Sequence, residues 1–341
     1  MPGIPFALPR WLLPGLLLAL LPGLLAWVGS AFAQAAAGRA PFAVTQVQPG
    51  VYVHSGALEV WAPANGGDVA NIGFVVGSRC VAVIDTGGTP GIGRALRAAV
   101  ARTTPLPVCY VINTHAHPDH VLGNVAFVGA GPAAPRFVAA ARFTRALAAR
   151  APYYLNALQR DYGIRLTPAA IAIVYPTLVV DKSLDLDLGD RVLTLQAWPT
   201  AHTDNDLTVY DRRTRTLFAS DLLFVQHLPV LDGSLRGWVA VMAEFQRLDV
   251  TSVVPGHGPI SNPSNKWPAI LQAQANYLNG LLRDTRTAIR KRQTIQQAIA
   301  GIGAPPASNW LLTDRFHRRN VTAAYAELEW EDDDPKPPAA R

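Results

Sequence analysis

The chain has 341 residues, half of them hydrophobic and only 16% charged, with a formal net charge of +6. That balance excludes wholesale disorder, which needs low hydrophobicity and high net charge, and leaves room for one large domain with an appendage. The cations are scattered, and their densest group, RTAIRKRQ at 286–293, reads as a solvated helix face with no nucleic-acid motif beside it. No nucleic-acid partner is therefore expected.

Residues 1–33 carry one cation (Arg10), an uncharged run from Trp11 to Val28, and small residues ending Ala31-Phe32-Ala33. This is the layout of a cleaved signal peptide. A retained anchor is the alternative, because ~18 apolar residues can span a bilayer, but Pro14, Pro22 and the A-x-A pattern favour removal. With no twin-Arg pair the general secretory route is expected, giving a periplasmic protein that begins near Gln34 and has no stable membrane insertion after cleavage.

From Phe42 to Asp85 the pattern is of strands: VTQVQPGVYVHSG breaks at Pro49-Gly50, and NIGFVVGSRCVAVIDTGG holds two β-rich runs. Residues 89–102 predict a helix with Ile92, Leu96 and Val100 on one face. LPVCYVINTH is continuously apolar, as expected of a strand covered on both faces. The only two cysteines, Cys80 and Cys109, lie in these strand-like runs. Neighbouring strands ~4.8 Å apart permit a bridge; two buried thiols are the alternative, and both readings stand open here.

PRFVAAA predicts a strand and ARFTRALAAR a helix; SLDLDLGDRVLTLQAWP reads as a hairpin turning at Gly189-Asp190, and LTVYDRRTRTLFAS repeats the pattern. Residues 235–248 place Trp238, Val241, Met242 and Phe245 on one helical face, a core stripe. After Pro263 the pattern turns helical, and DDDPKPPAAR reads as disordered. Strand clusters interleaved with helices predict an α/β fold of two sheets face to face with helices outside.

The stretch THAHPDH holds three histidines and an aspartate within six residues. His115 and His117, two apart, share a side of extended chain, while Asp119 and His120 beyond Pro118 turn elsewhere on a loop. Imidazole and carboxylate suit Zn²⁺ and other first-row divalent ions. Further donors stand at predicted strand ends: His202 in WPTAHTDND, Asp221 in LFASDLLF after a 216–219 strand, and His257 in VVPGHGP after a 252–254 strand. Each alone is a weak signal, but together with the HxHxDH run they form a set.

With VIDTGG upstream, this set resembles the metallo-beta-lactamase superfamily over roughly residues 42–263. The resemblance implies a four-layer αβ/βα sandwich at 34–263, a C-terminal helical extension at 264–330 and a tail at 331–341. It implies two Zn²⁺, with Fe or Mn also compatible with the donors: His115, His117 and His202 on one, Asp119, His120 and His257 on the other, and Asp221 bridging. Asp119 and Asp221 would then be the catalytic carboxylates, serving a metal-activated hydroxide that attacks a small carbonyl substrate such as a thioester, ester or lactone.

A bridging Asp at this position is a feature of glyoxalase II-like hydrolases and departs from class B β-lactamases. TAHTDNDLTVYD, ASDLLF and LPVLDGSLRGW are similar to the quinoprotein relay system zinc metallohydrolases, related to SoxH-like proteins, which implies a link to a periplasmic quinoprotein dehydrogenase. A β-lactamase or lactonase is the first alternative function, and a non-enzymatic metal-bearing accessory protein the second.

Five further polar residues lie near the ligands. Asp85 is expected to steady a ligand loop through hydrogen bonds, or merely to form a turn before glycines. Asp204, Asn205 and Asp206, beside His202, could do the same or simply form an Asx-type turn. His227 lies on a loop that could face substrate, though a surface position is favoured. Tyr153, Tyr154 and Trp238 are candidates to line a pocket, with core packing the favoured reading for each.

Overall fold

The structure is a computed structural model and describes residues 42–129, 131, 134–165, 173–260, 267–306 and 310–331. The expected signal segment and the tail beyond residue 331 lie outside the described residues.

Seven strands form the first sheet in sequence order: β1 (Thr45–Gln48), β2 (Val51–His54), β3 (Ile72–Val76), β4 (Val81–Ile84), β5 (Val108–Ile112), β6 (Arg136–Ala140) and β7 (Leu178–Val180). Pairing is antiparallel from β1 to β4 and parallel from β4 to β7. The parallel steps need crossovers, supplied by helices α1 (Pro90–Thr103) and α3 (Phe143–Arg160), while the turn α2 (Pro118–Val121) also lies between β5 and β6. The second sheet has the order β12-β11-β10-β9-β8, built from β8 (Ser183–Asp187), β9 (Val192–Ala197), β10 (Leu207–Asp211), β11 (Thr216–Phe224) and β12 (Ser252–His257). Helix α4 (Leu235–Phe245) crosses between the parallel strands β11 and β12.

Strand alternation sorts the apolar residues into layers. Ala82 and Ile84 of β4 face inward with Val51, Ile112 and Val138, meeting Leu193, Leu195, Val209 and Phe218 of the second sheet. Val81 and Val83 face the other way and pack with Phe74 and Val111 against Leu96, Ala99 and Val100 of α1. Both faces of β4 and β5 are therefore covered, which explains their unbroken apolar sequence. The outer face of the second sheet carries α4 and the C-terminal helices α5 (Trp267–Arg290), α6 (Ile295–Gly301) and α7 (Thr313–Leu328). The expected α/β fold of two sheets with helices outside and a C-terminal helical region is present.

Three local expectations need correction. Asp119 and His120 sit in the helical turn α2 rather than on a loop. Asp221 lies within β11, which runs on to Phe224, and His257 is the last residue of β12 rather than beyond it. The helical stretch expected after Pro263 is not continuous: it breaks after Arg290, where Arg292 adopts a φ of 55° and a capping box between Thr294 and Gln297 starts α6.

Cys80 and Cys109 are bridged, with their Cα atoms 5.8 Å apart at adjacent parallel strands. A buried ion pair of the second sheet reaches the first sheet through its arginine. Arg191 donates from Nε and Nη2 to the two oxygens of Asp211, at 2.9 and 2.6 Å, and from Nη1 to the Val76 carbonyl across the sandwich at 3.1 Å. Burial pushes the Asp211 carboxyl up, but the Arg191 and Thr214 hydrogen bonds outweigh this and hold it below its ordinary value.

A group with a depressed folded pKa stabilises above its unfolded pKa and loses that contribution as pH falls through the folded one. Asp211→Ala should strand the buried guanidinium and cost about 3–5 kcal/mol in urea denaturation at pH 7. The gap between variant and wild type should narrow as pH drops below about 4. An equal gap at pH 3 and pH 7 would contradict this account of the pair.

Candidate metal centre

The sandwich brings the seven sequence-predicted donors to one end of the molecule. His115 and His117 leave the end of β5, Asp119 and His120 follow on α2, and His202 lies in the β9–β10 connection. Asp221 reaches the group from within β11 because the strand is irregular there. Ser220 has a φ of 47°, and the pairing with β12 slips between Phe218 and Ser220. Gly256 on β12 makes room for it: a Cβ at that position would collide with Asp221 Oδ1.

The donors fall into two groups, His115, His117, His202 and Asp221, and Asp119, His120 and His257, the ligand atoms of each lying within 4.8 Å of one another. His117 Nδ1 is 3.1 Å from both His115 Nε2 and His202 Nε2. Asp221 faces both groups, with Oδ2 3.4 Å from His202 Nε2 and Oδ1 3.2 Å from His120 Nε2. Asp119 Oδ2 lies 3.2 Å from His257 Nε2.

The outward nitrogens decide what the inward ones can be. His117 Nε2 meets Asp232 Oδ2 at 2.9 Å, His120 Nδ1 meets Asp85 Oδ2 at 2.8 Å, His202 Nδ1 meets the Val230 carbonyl at 2.7 Å and His257 Nδ1 meets the Val69 carbonyl at 2.9 Å. Carbonyls and carboxylates only accept, so each of these rings donates outward, and when neutral it presents an inward lone pair. Lone pairs 3.1 Å apart repel unless a cation lies among them. His120 Nε2 and Asp221 Oδ1 are also buried and, although 3.2 Å apart, form no hydrogen bond with each other or with another group, a costly arrangement for polar atoms. The donor set therefore fits divalent ions.

The electrostatics agree. Burial drives His202 down to about 3 and His115 well below its ordinary value. Burial also acts against charge on His257, but Asp221 and Asp119 beside it raise it to about 9. For Asp221, desolvation is outweighed by the surrounding imidazoles, which hold it well below the usual carboxylate range. Without metal, protons on the second group hold positive charge where a cation would sit.

The profile of one protein family matches residues 65–257, more than half of the chain: the Metallo-beta-lactamase superfamily. The chain belongs to the metallo-beta-lactamase superfamily. No curated protein sequence matches it. Among solved structures, the stereoselective inverting sec-alkylsulfatase Pisa1 from Pseudomonas sp. is similar at a TM-score of 0.66 and 18% identity, covering 87% of this chain and 52% of its own. This chain thus spans about half the length of that relative. The metallo-beta-lactamases of Pontibacter korlensis and Hirschia baltica have TM-scores of 0.55 and 0.53 at 19% and 17% identity, each covering 70% of this chain and 98% of its own. The alkylsulfatase match covers more than residues 1–263 could supply, so the shared fold includes part of the helical region.

In this metallo-beta-lactamase-superfamily site the remaining expectations divide. Asp85 does contact the ligands: it accepts from the Thr114 backbone N–H at 2.9 Å and from the Thr114 hydroxyl at 2.7 Å while holding His120. It does so from a strained φ of 55°. Asp204 instead pairs outward with Arg145 at 2.9 Å. The buried turn former is Asp206, which accepts from the Thr203 backbone and hydroxyl and is pushed up by burial to about 8.

His227 is buried, not a surface residue. Its ring lies 5.1 Å from that of His257 and packs on Phe224 and Phe316, and burial lowers it to about 4. Trp238 is fully buried core, whereas Tyr153 and Tyr154 line the cavity over the metal cluster.

That cavity, about 480 Å³, is also lined by residues that sequence reasoning missed: Trp61, Arg150, Asp232, Phe316 and Arg319. Asp232 had a visible cue in LPVLDG; the helix residues had none, because only packing turns them toward the site. A larger cavity of about 640 Å³ beside α5 is lined by apolar residues with Gln226 and Asn276 and touches none of the seven donors.

Replacing Asp85 with Asn removes the charge that orients His120. It should weaken metal binding by the Asp119, His120 and His257 group about 10–100-fold, measured by competition with a chromophoric chelator. Unchanged affinity would contradict the role assigned to Asp85.

Proposed function

We propose that this chain is a dinuclear zinc hydrolase of small carbonyl substrates (thioesters, esters or lactones), exported to the periplasm and serving quinoprotein-dependent oxidation there. The observation that carries the two-ion reading is the placement of Asp221 between the donor groups, with Oδ2 3.4 Å from both His202 and His257 and Oδ1 3.2 Å from His120. Bound divalent ions would supply Lewis acidity toward a substrate oxygen and activation of water at neutral pH.

The chain's own residues do the rest. His115, His117, His202 and Asp221 would hold one ion, and Asp119, His120, His257 and the other Asp221 oxygen the second. Asp119, partly open to the cavity, is placed to orient a water or accept its proton. His227, Phe224 and Phe316 form an apolar wall that keeps bulk water from the reacting end. Tyr153, Arg150 and Arg319 line the cavity where the remote part of a substrate would lie. The exported location rests on the signal-like segment 1–33, and the quinoprotein link on the motifs around His202, Asp221 and Asp232.

Sulfate-ester hydrolysis is a second reading. It is favoured by two guanidiniums in the cavity and by a fold likeness to a sec-alkylsulfatase that extends past the lactamase core.

Zinc-loaded protein should hydrolyse at least one of S-lactoylglutathione, a homoserine lactone or an acyl thioester faster than nitrocefin, and Asp221→Ala should abolish turnover. Activity on a secondary alkyl sulfate alone would favour the second reading. No turnover of any of these above free zinc would overturn both.

A further inference from the structure

The segment Pro229–Asp232 runs between the metal cluster and α7, and its residues alternate in what they touch. Val230 offers its carbonyl to His202 Nδ1 at 2.7 Å, and Asp232 offers Oδ2 to His117 Nε2 at 2.9 Å. Pro229 and Leu231, which alternate with them, are held from the other side by one buried amide. Asn320 of α7 donates from Nδ2 to the Pro229 carbonyl at 2.6 Å and accepts at Oδ1 from the Leu231 N–H at 3.0 Å. Its second Nδ2 proton goes to the Tyr277 hydroxyl of α5 at 2.8 Å, and the residue is fully buried. The next residue back on the helix, Arg319, donates to Asp232 Oδ1 at 3.1 Å, opposite the oxygen used by His117.

We infer that Asn320, aided by Arg319, is a positioning residue for the first metal site: α7 fixes the 229–232 segment, and that segment sets the tautomer and ring orientation of His117 and His202. The inference rests on the two-ion reading proposed above. Two of the three imidazoles of that site thus lean on a helix that lies wholly outside the family match at 65–257, with Arg150 of α3 sharing the hold on Asp232 through Oδ2 at 2.7 Å. The second site has no such dependence, since Asp85 and the Val69 carbonyl hold His120 and His257. A side-chain amide suits the task because it meets a carbonyl and an N–H two residues apart at once, which neither a hydroxyl nor a carboxylate can do in that geometry.

The test uses the full chain, stripped of metal and titrated with zinc against a chromophoric chelator, with the melting temperature of each metal-free protein recorded. Wild type should take up two tight equivalents. Asn320→Ala should keep one and bind the other about 10-fold more weakly or worse. Val321→Ala, a core truncation one residue along the same helix, should lower the melting temperature while leaving both equivalents tight. Should Asn320→Ala not fold, Arg319→Ala, half-exposed, should weaken one equivalent and Arg319→Lys should restore it.

Two tight equivalents in a folded Asn320→Ala overturn the inference alone. So does a loss of affinity in Val321→Ala that matches its loss of stability, because α7 would then act only as packing. Absence of zinc binding by wild type contradicts the two-ion reading itself, and this inference falls with it.

Discussion

Five imidazoles and two carboxylates converge, with the His115, His117 and His202 nitrogens 3.1 Å apart across His117, and most of the local structure exists to hold them against their mutual repulsion. Each ring is locked from outside by an acceptor: Thr114, Asp232, Asp85, Val230 and Val69. These acceptors come from well-separated parts of the chain, so the centre can form only when the sandwich has closed. The cost of burying such a set is high. It is met by the covered sheets around it and, in this reading, by cations at its centre.

The two sheets contribute unequally. The first ends its strand β5 in the run that carries four donors, while the second provides Asp221, whose reach depends on an irregular β11 and on the absence of a side chain at Gly256. The fully buried Arg191–Asp211 pair and its bond to Val76 fix the relative register of the sheets far from the site. Small shifts there would reach the centre as changes in ligand distance, since packed cores transmit displacement rather than absorb it.

Much of this was legible beforehand, and for a common reason. The HxHxDH run, the continuous apolar strands and the 235–245 helix face are local patterns, set by spacings of two and of three to four residues. What escaped was decided by tertiary packing. His227 looked like a loop histidine because nothing local predicts that Phe224, His257 and Phe316 enclose it. Asp204 and Asp206 are chemically alike and two residues apart; only the turn geometry shows which one is buried. Asn320 and Arg319 read as ordinary polar positions on a helix, and their role emerges only where α7 crosses the 229–232 segment. The break at Arg292, by contrast, carried its cue in the Thr294–Gln297 capping box.

The central claim is that Asp221 lies between two ions. Diffraction from zinc-soaked crystals, recorded above and below the zinc absorption edge, tests it most directly. The account predicts two anomalous peaks about 3.5–4 Å apart, one beside His115, His117 and His202 and one beside Asp119, His120 and His257, each within bonding distance of a different Asp221 oxygen. A single peak, or two peaks with Asp221 turned away from either, would contradict it.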